Sequence, residues 1–387
     1  MKLILWISLF IIFYTYVGYG IVLFFLIKLK RIFIKNKNID EVHFTPSLTL
    51  VVAAYNEEKI IEEKIHNTLS LHYPEDKFKI IFVTDGSTDG TDAIIAKYPQ
   101  IKLMHQDGRS GKIAAVHRAM LEVDSDIVVF TDANTFLNKE ALLKLSRHYA
   151  NPKVGAVSGE KRVHIEESSD ATAGEGFYWK YESKLKKWDY ELYSVVGAAG
   201  ELFSVRTALY VPVEPDTLLD DFMISMKIAM RGYKIAYDPD AYAMESSSEN
   251  LKEELKRKVR IAAGGIQSTI RTSKLFNPFF MPLLSFQYIS HRVLRWTITP
   301  ILMIFVFFLN IYIVTQTTEI LYKLLMLAQI AFYASAILGW LLESRQVRIK
   351  ILFIPYYFVF MNYAMILGMF RYFNSGQSVL WDKAKRK

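Results

Sequence analysis

Apolar positions follow two different patterns along this chain. Four stretches carry no charged residue at all: Leu3 to Ile27, Trp296 to Thr315, Leu324 to Leu342 and Ile351 to Phe370. Each is at least roughly as long as the ~20-residue helix needed to cross a bilayer. The first, preceded by Lys2, is longer than the ~7–15-residue apolar core of a secretory signal and has no obvious small-residue cleavage site, so it reads as a retained anchor. The other three lie close together on short links and are flanked by Tyr and Trp, as membrane interfaces favour; buried core helices would not be expected to cluster so.

Between the first run and the rest the pattern changes. Ser47–Ala54 is a β-rich apolar run that ends in polar residues, and helical spacing follows at Ile60, Ile61, Ile65 and Leu69. Lys79–Thr84 predicts a second buried strand, closed by Asp85–Asp89, and Thr91–Lys97 a helix. The rhythm repeats through Ile101–His105, Lys112–Leu121 and Asp126–Phe130, the last followed by Thr131–Asn134. Alternating strands and helices with wholly apolar strands predict an α/β domain with a mostly parallel sheet covered on both faces. Ligands of such sheets bind at the carboxyl ends of the strands, where the polar clusters fall.

Composition narrows the classes. Among 387 residues 52% are hydrophobic and 22% charged, with 18 Gly, 11 Pro and no Cys, which excludes disorder, collagen, a disulfide scaffold and thiolate chemistry. The formal charge of +8 admits nucleic acid, anionic lipid or a phosphorylated substrate until the charges are located. Lys28, Lys30, Arg31, Lys35 and Lys37 follow the first apolar run, and Lys383, Lys385, Arg386 and Lys387 end the chain. These flanks favour membrane lipids as partners over nucleic acid, and the first of them places Asn38 to Phe276 in the cytoplasm. Three spans after that domain would put the basic C-terminus outside. Either the tail breaks the charge rule, or a segment such as Pro278 to Ile289 dips in and returns, or one of the last runs does not fully cross.

Chemistry concentrates in three clusters: Ala53-Ala54-Tyr55-Asn56-Glu57-Glu58, Asp85-Gly86-Ser87-Thr88-Asp89-Gly90-Thr91 and Asp132-Ala133-Asn134. Each alone could be a turn or helix cap. In this order and spacing the chain resembles the family 2 glycosyltransferases, inverting enzymes with a GT-A fold, and particularly the membrane-embedded polysaccharide synthases of the cellulose and poly-N-acetylglucosamine type. The resemblance extends over nearly the whole chain. It implies a sugar transferred from a nucleotide-diphosphate sugar, a UDP-sugar foremost, to a saccharide or lipid-linked acceptor at a bacterial-type inner or plasma membrane. By resemblance Asp85 accepts from the uracil ring, Ala53, Tyr55 and Glu57 wall the nucleoside, and Lys112 lies near the sugar nucleotide. Asp132 begins the family's DxD and holds Mg²⁺ or Mn²⁺ on the diphosphate, hard cations that take oxygen ligands. The third position here is Asn134, a neutral oxygen donor.

On the acceptor side, Gly197-Ala198-Ala199-Gly200-Glu201 resembles the family's small-residue loop, and Asp220-Asp221 its ED motif, with Asp220 in place of Glu. Asp221 is the candidate base, since a like-charged neighbour and partial burial would raise its pKa toward the working range. Arg257 to Ile261 stands where the family has QxxRW. Arg260 matches the arginine, while Arg257 replaces Gln and Ile261 replaces Trp. Arg257 and Arg260 are the candidate diphosphate contacts. Arg292 to Trp296 reads as an interfacial Trp with snorkelling basic neighbours, and Trp381 could fold back to the site from a cytoplasmic tail. The expected organisation is an anchor with basic flank over 1–37, a catalytic domain over 38–276, an interfacial amphipathic segment over 277–295, membrane helices over 296–373 and a basic tail over 374–387. A nucleotidyltransferase, or an inactive nucleotide-sugar-binding membrane protein, is the alternative.

Overall fold

A computed structural model describes residues 1–34, 43–164, 172–246, 251–345, 347 and 349–374. Lys35, Lys37, Asn38, Trp381 and the terminal Lys383, Lys385, Arg386 and Lys387 lie outside the described residues. In chain order the elements are α1 (Lys2–Phe13), a π-turn (Tyr14–Gly18), α2 (Tyr19–Phe33), β1 (Leu48–Ala54), α3 (Ile61–Leu69), β2 (Phe78–Thr84), α4 (Thr91–Ile95), β3 (Lys102–Met104), α5 (Lys112–Met120), β4 (Ile127–Asp132), β5 (Thr135–Leu137), α6 (Ala141–Ser146) and β6 (Val154–His164). There follow α7 (Thr172–Leu192), β7 (Leu202–Arg206), α8 (Asp220–Ala229), β8 (Lys234–Ser246), α9 (Leu251–Arg271), α10 (Pro282–Tyr288), α11 (Leu294–Trp296), α12 (Ile298–Gln316), α13 (Ile320–Ser344) and α14 (Lys350–Asn374). They form two compact units: Leu29–His164 with Lys186–Glu253, and Met1–Lys28 with Ile165–Leu185 and Glu254–Ser375.

The first unit is built on an eight-stranded sheet in the order β3-β2-β1-β4-β7-β6-β8-β5. Its first half is parallel, as the repeated strand–helix pattern demands. All seven residues of β1 are buried, and Leu50, Val52, Phe82 and Val129 pack with Ile61 and Ile65 of α3 in one core. Fully burying each such side chain contributes about 1.5–3 kcal/mol. Register brings the strand ends together, with Ala54 beside Thr84 and Ala53 beside Asp132. The sheet is mixed beyond that point: β7 runs antiparallel to β4, pairing Thr131 with Leu202. The chain therefore enters β7 at the edge where β4 leaves, which sets the Gly197–Glu201 loop beside Asp132.

The second unit contains helices α9 to α14 together with most of the N-terminal helix. Four helices are long and apolar enough to cross a membrane: Lys2–Phe33, Ile298–Gln316, Ile320–Ser344 and Ile351–Asn374. Leu5 packs with Val306, Leu309, Ile313 and Tyr322. Lys2 bonds Glu319 at one end of that contact, and the Thr15 and Thr299 hydroxyls meet at 3.0 Å at the other. Arg292 and Arg295 do not snorkel outward as the sequence suggests. A buried carboxylate on α7, Glu182, draws them in, with Arg292 at 3.1 Å, Arg295 at 2.8 Å and His291 at 3.1 Å. Trp296 is likewise buried and lies over Gly265, where a Cβ would come within 2.8 Å of the indole. Gly368 of α14 lies against Ala262 and Ala263 of α9 in the same close manner.

Candidate active site

The site is assembled at the carboxyl ends of β1, β2 and β4, all within the sheet unit. After β1 the backbone turns sharply at Asn56, whose φ is 53°. Its side-chain oxygen accepts from the Thr88 amide at 2.8 Å, tying the first cluster to the second. Glu57 is buried, and its own amide donates to the Thr91 hydroxyl at 2.8 Å. Ala53, Ala54, Tyr55, Asp85, Arg109, Gly111, Lys112 and Ala115 line one pocket. Four of the five expected donor-side residues that precede Asp132, all but Glu57, thus line one pocket.

Asp85 has a further task that the sequence does not reveal. Its carboxylate accepts the Ser110 amide at 3.0 Å and the Gly111 amide at 2.6 Å, fixing the turn that starts α5. Gly86, at a φ of +68°, permits this, since a Cβ there would lie 2.9 Å from the Arg109 nitrogen. Arg109 was not singled out in the sequence, and its guanidinium lies 4.1 Å from the Tyr55 ring centroid. The RSGK run that carries it was the available signal.

A second pocket shares Ala53 and Lys112 with the first and adds Phe130, Thr131, Gly200, Phe203, Asp220 and Ile224 among its lining. Lys112 joins the two. Its ammonium lies 2.7 Å from Asp132 and 3.6 Å from Asp220, and these carboxylates hold its pKa well above the ordinary lysine range despite the burial that opposes them. Asp220 and Asp221 open α8. Asp221 keeps some exposed surface, yet protein atoms crowd its carboxyl; burial first, and the Asp220 charge second, push its pKa up to about 7. A Cβ on Gly200 would lie 3.1 Å from Oδ2 of Asp221, so the small residue leaves that carboxylate room. The adjoining Gly197, at a φ of +79°, could carry no side chain without meeting the Phe222 ring.

Residues 49–210 match the glycosyl transferase family 2. This segment is a family 2 glycosyltransferase domain. The poly-β-1,6-N-acetyl-D-glucosamine synthase of Staphylococcus aureus (strain COL) is 29% identical over 245 residues, covering 60% of this chain and 57% of that one. Its Staphylococcus epidermidis counterpart is 27% identical over 246 residues, covering 59% and 58%. The match thus spans little more than half the length of these relatives. In fold, the chain is similar to the mannosyltransferase PcManGT from Pyrobaculum calidifontis, solved with GDP-Man and Mn²⁺; the TM-score is 0.69 at 22% identity, over 96% of this chain and 99% of that one. The sheet unit accordingly has the GT-A fold.

Within the glycosyltransferase domain, Glu201 closes the 197–201 loop. Its carboxylate meets Lys161 at 2.5 Å, and Lys161 also bonds Glu245, so Glu201 braces the loop against β6 and β8. Asn134 stands in the turn between β4 and β5. Among the described residues no group of three or more His, Asp or Glu is arranged to hold a metal. Asp132 offers a carboxylate and Asn134 an amide oxygen, donor types that hard cations such as Mg²⁺ and Mn²⁺ accept. Arg257 and Arg260 lie on α9 in the helical unit, where Arg257 reaches Glu254 at 3.5 Å. Their phosphate role rests on motif position alone.

Proposed function

We propose that this chain is a membrane-bound inverting glycosyltransferase that takes a sugar from a cytoplasmic nucleoside-diphosphate sugar, UDP-linked by preference, and transfers it to a saccharide or lipid-linked hydroxyl. The observation that carries the reading is Asp221, pushed up to about 7 next to Gly200 while Lys112 joins Asp132 to Asp220. A carboxyl poised there can accept a proton at neutral pH. The nucleoside lies in the pocket of Tyr55, Asp85 and Arg109. Asp221 takes the acceptor proton onto a carboxylate oxygen as the hydroxyl attacks the anomeric carbon. The bond from that carbon to the diphosphate breaks on the opposite face, and Lys112 moves its charge from Asp132 to the leaving oxygens. A divalent ion held by Asp132 and Asn134 would supply further positive charge to that diphosphate.

The apolar helices support an acceptor presented at the membrane, with the catalytic unit on the cytoplasmic side that Lys28, Lys30 and Arg31 mark. The test is to incubate purified protein in lipid with a panel of nucleotide-sugars and measure nucleoside diphosphate release. Release with one donor, abolished in Asp221→Asn while nucleotide binding persists, is the expected result. Silence across the panel with intact nucleotide binding would favour an inactive binding protein instead.

A further inference from the structure

Behind the Asp132 turn lies a lysine that the proposed chemistry does not use. Lys64, on α3, is fully buried. Its ammonium donates to the Thr135 carbonyl at 2.6 Å, with the Thr131 hydroxyl at 3.4 Å. One helical turn on, Asn67 binds the next strand twice. Its amide donates to the Leu137 carbonyl at 2.8 Å, and its oxygen accepts the Leu137 amide at 2.9 Å. The turn is also tied within itself and to the acceptor loop. The Thr135 hydroxyl bonds the Asp132 carbonyl at 3.0 Å, and the Thr131 hydroxyl bonds the Glu201 carbonyl at 2.8 Å.

An ammonium is costly to bury, and Lys64 has no carboxylate at ion-pair distance among the described residues. Burial pulls its pKa down to about 7, and the nearby Asp132 charge opposes that drop. An apolar residue would fill the same space in the core beside Ile61 and Ile65 at no such cost. What Lys64 supplies and a hydrocarbon cannot is a long-reach donor to the backbone on the far side of Asp132 and Asn134.

We propose that Lys64 is a positioning residue for the donor site, which with Asn67 clamps the 131–137 turn so that Asp132 and Asn134 face the diphosphate and its metal ion. The proposal rests on the reading of Asp132 given above. Outer-shell partners of metal-binding groups typically carry about 10–100-fold in affinity. Lys64→Met keeps the stem and removes the donor, while Asn67→Leu removes the paired contacts to Leu137 without touching Lys64. Calorimetric titration of Mn²⁺ into protein with UDP should show affinity reduced at least about tenfold in both variants. The donor KM should rise in parallel while the acceptor KM stays within about twofold, a split that loss of stability alone does not produce. Ile61→Val, on the same helix, is the control; it should lower thermal stability and leave Mn²⁺ affinity unchanged. Should Lys64→Met not fold, Asn67→Leu carries the test by itself. Wild-type Mn²⁺ affinity in the folded variants, alongside lost binding in Asp132→Asn, overturns the clamp while sparing the donor-site reading. Unchanged binding in Asp132→Asn overturns both.

Discussion

Replacing Asp221 by Asn should do two things that a structural carboxylate would not do together. The amide is nearly isosteric but cannot take a proton, so turnover should fall by about 10²–10⁴. The same change should also stabilise the protein, increasingly so as pH rises. The folded pKa of Asp221 is raised from 3.8 to about 7, so the native state binds its proton more tightly than the unfolded chain does. Stability is therefore fully present below the unfolded value and is lost as pH rises toward the folded one. A shift of about three units corresponds to an upper figure of about 4 kcal/mol above pH 7, at 1.36 kcal/mol per unit. About half of that develops between pH 5.5 and 8.5 by the same linkage, so the stability gained by Asp221→Asn should grow by about 2 kcal/mol over that interval. Thermal unfolding of both proteins in detergent at the two pH values, beside nucleoside diphosphate release, provides the assay. A loss of less than tenfold in turnover, or a variant less stable than wild type at pH 8.5, would refute the reasoning.

Gly200→Ala places a methyl 3.1 Å from Oδ2 of Asp221 and should lower kcat by roughly tenfold with little change in donor KM, since a displaced base costs rate before binding. Lys112→Met removes the cation from Asp132 and Asp220. Donor affinity should fall, and because Lys112 holds the Asp221 pKa down, the rising limb of the pH–rate profile should move to higher pH. For the membrane arrangement, Gly368 lies against Ala262 and Ala263 of the amphipathic helix α9, so the end of α14 is expected on the side of the membrane that α9 occupies. A single Cys at position 374 of this Cys-free chain should then resist a membrane-impermeant thiol reagent in intact cells, as should one at position 150. Labelling from outside at 374 would mean that α14 crosses fully.

Local patterning carried much of the fold. The apolar runs ending in Ala54 and Thr84 are β1 and β2, because a strand buried on both faces must be apolar throughout and must end where polar residues begin. Long-range pairing was not legible. The strand expected over Asp126–Phe130 continues to Asp132 because β1 and β7 pair with it on either side, and β5 exists through its pairing with β8. At the site, the family resemblance pointed to Asp85, Lys112, Asp132, Asp220 and Asp221, and Lys112 joins Asp132 to Asp220. Partners distant in sequence decided the rest. Lys161, forty residues earlier, claims Glu201, the Ser110–Gly111 turn claims Asp85, and Glu182 claims Arg292 and Arg295 across more than a hundred residues. Lys64 shares the buried face of α3 with Ile61, Ile65 and Thr68, and the docking of that face on the turn after β4 gives its ammonium the Thr135 carbonyl.

The central claim is that a sugar leaves a nucleoside diphosphate with inversion while Asp221 accepts the acceptor proton. Proton and phosphorus NMR of a running reaction test it most directly, using an α-linked nucleotide-sugar and the protein in lipid. The account predicts nucleoside diphosphate and a β-linked product appearing one for one in the wild type, and neither in Asp221→Asn. An α-linked product, or nucleoside monophosphate with sugar phosphate in place of the diphosphate, would contradict it.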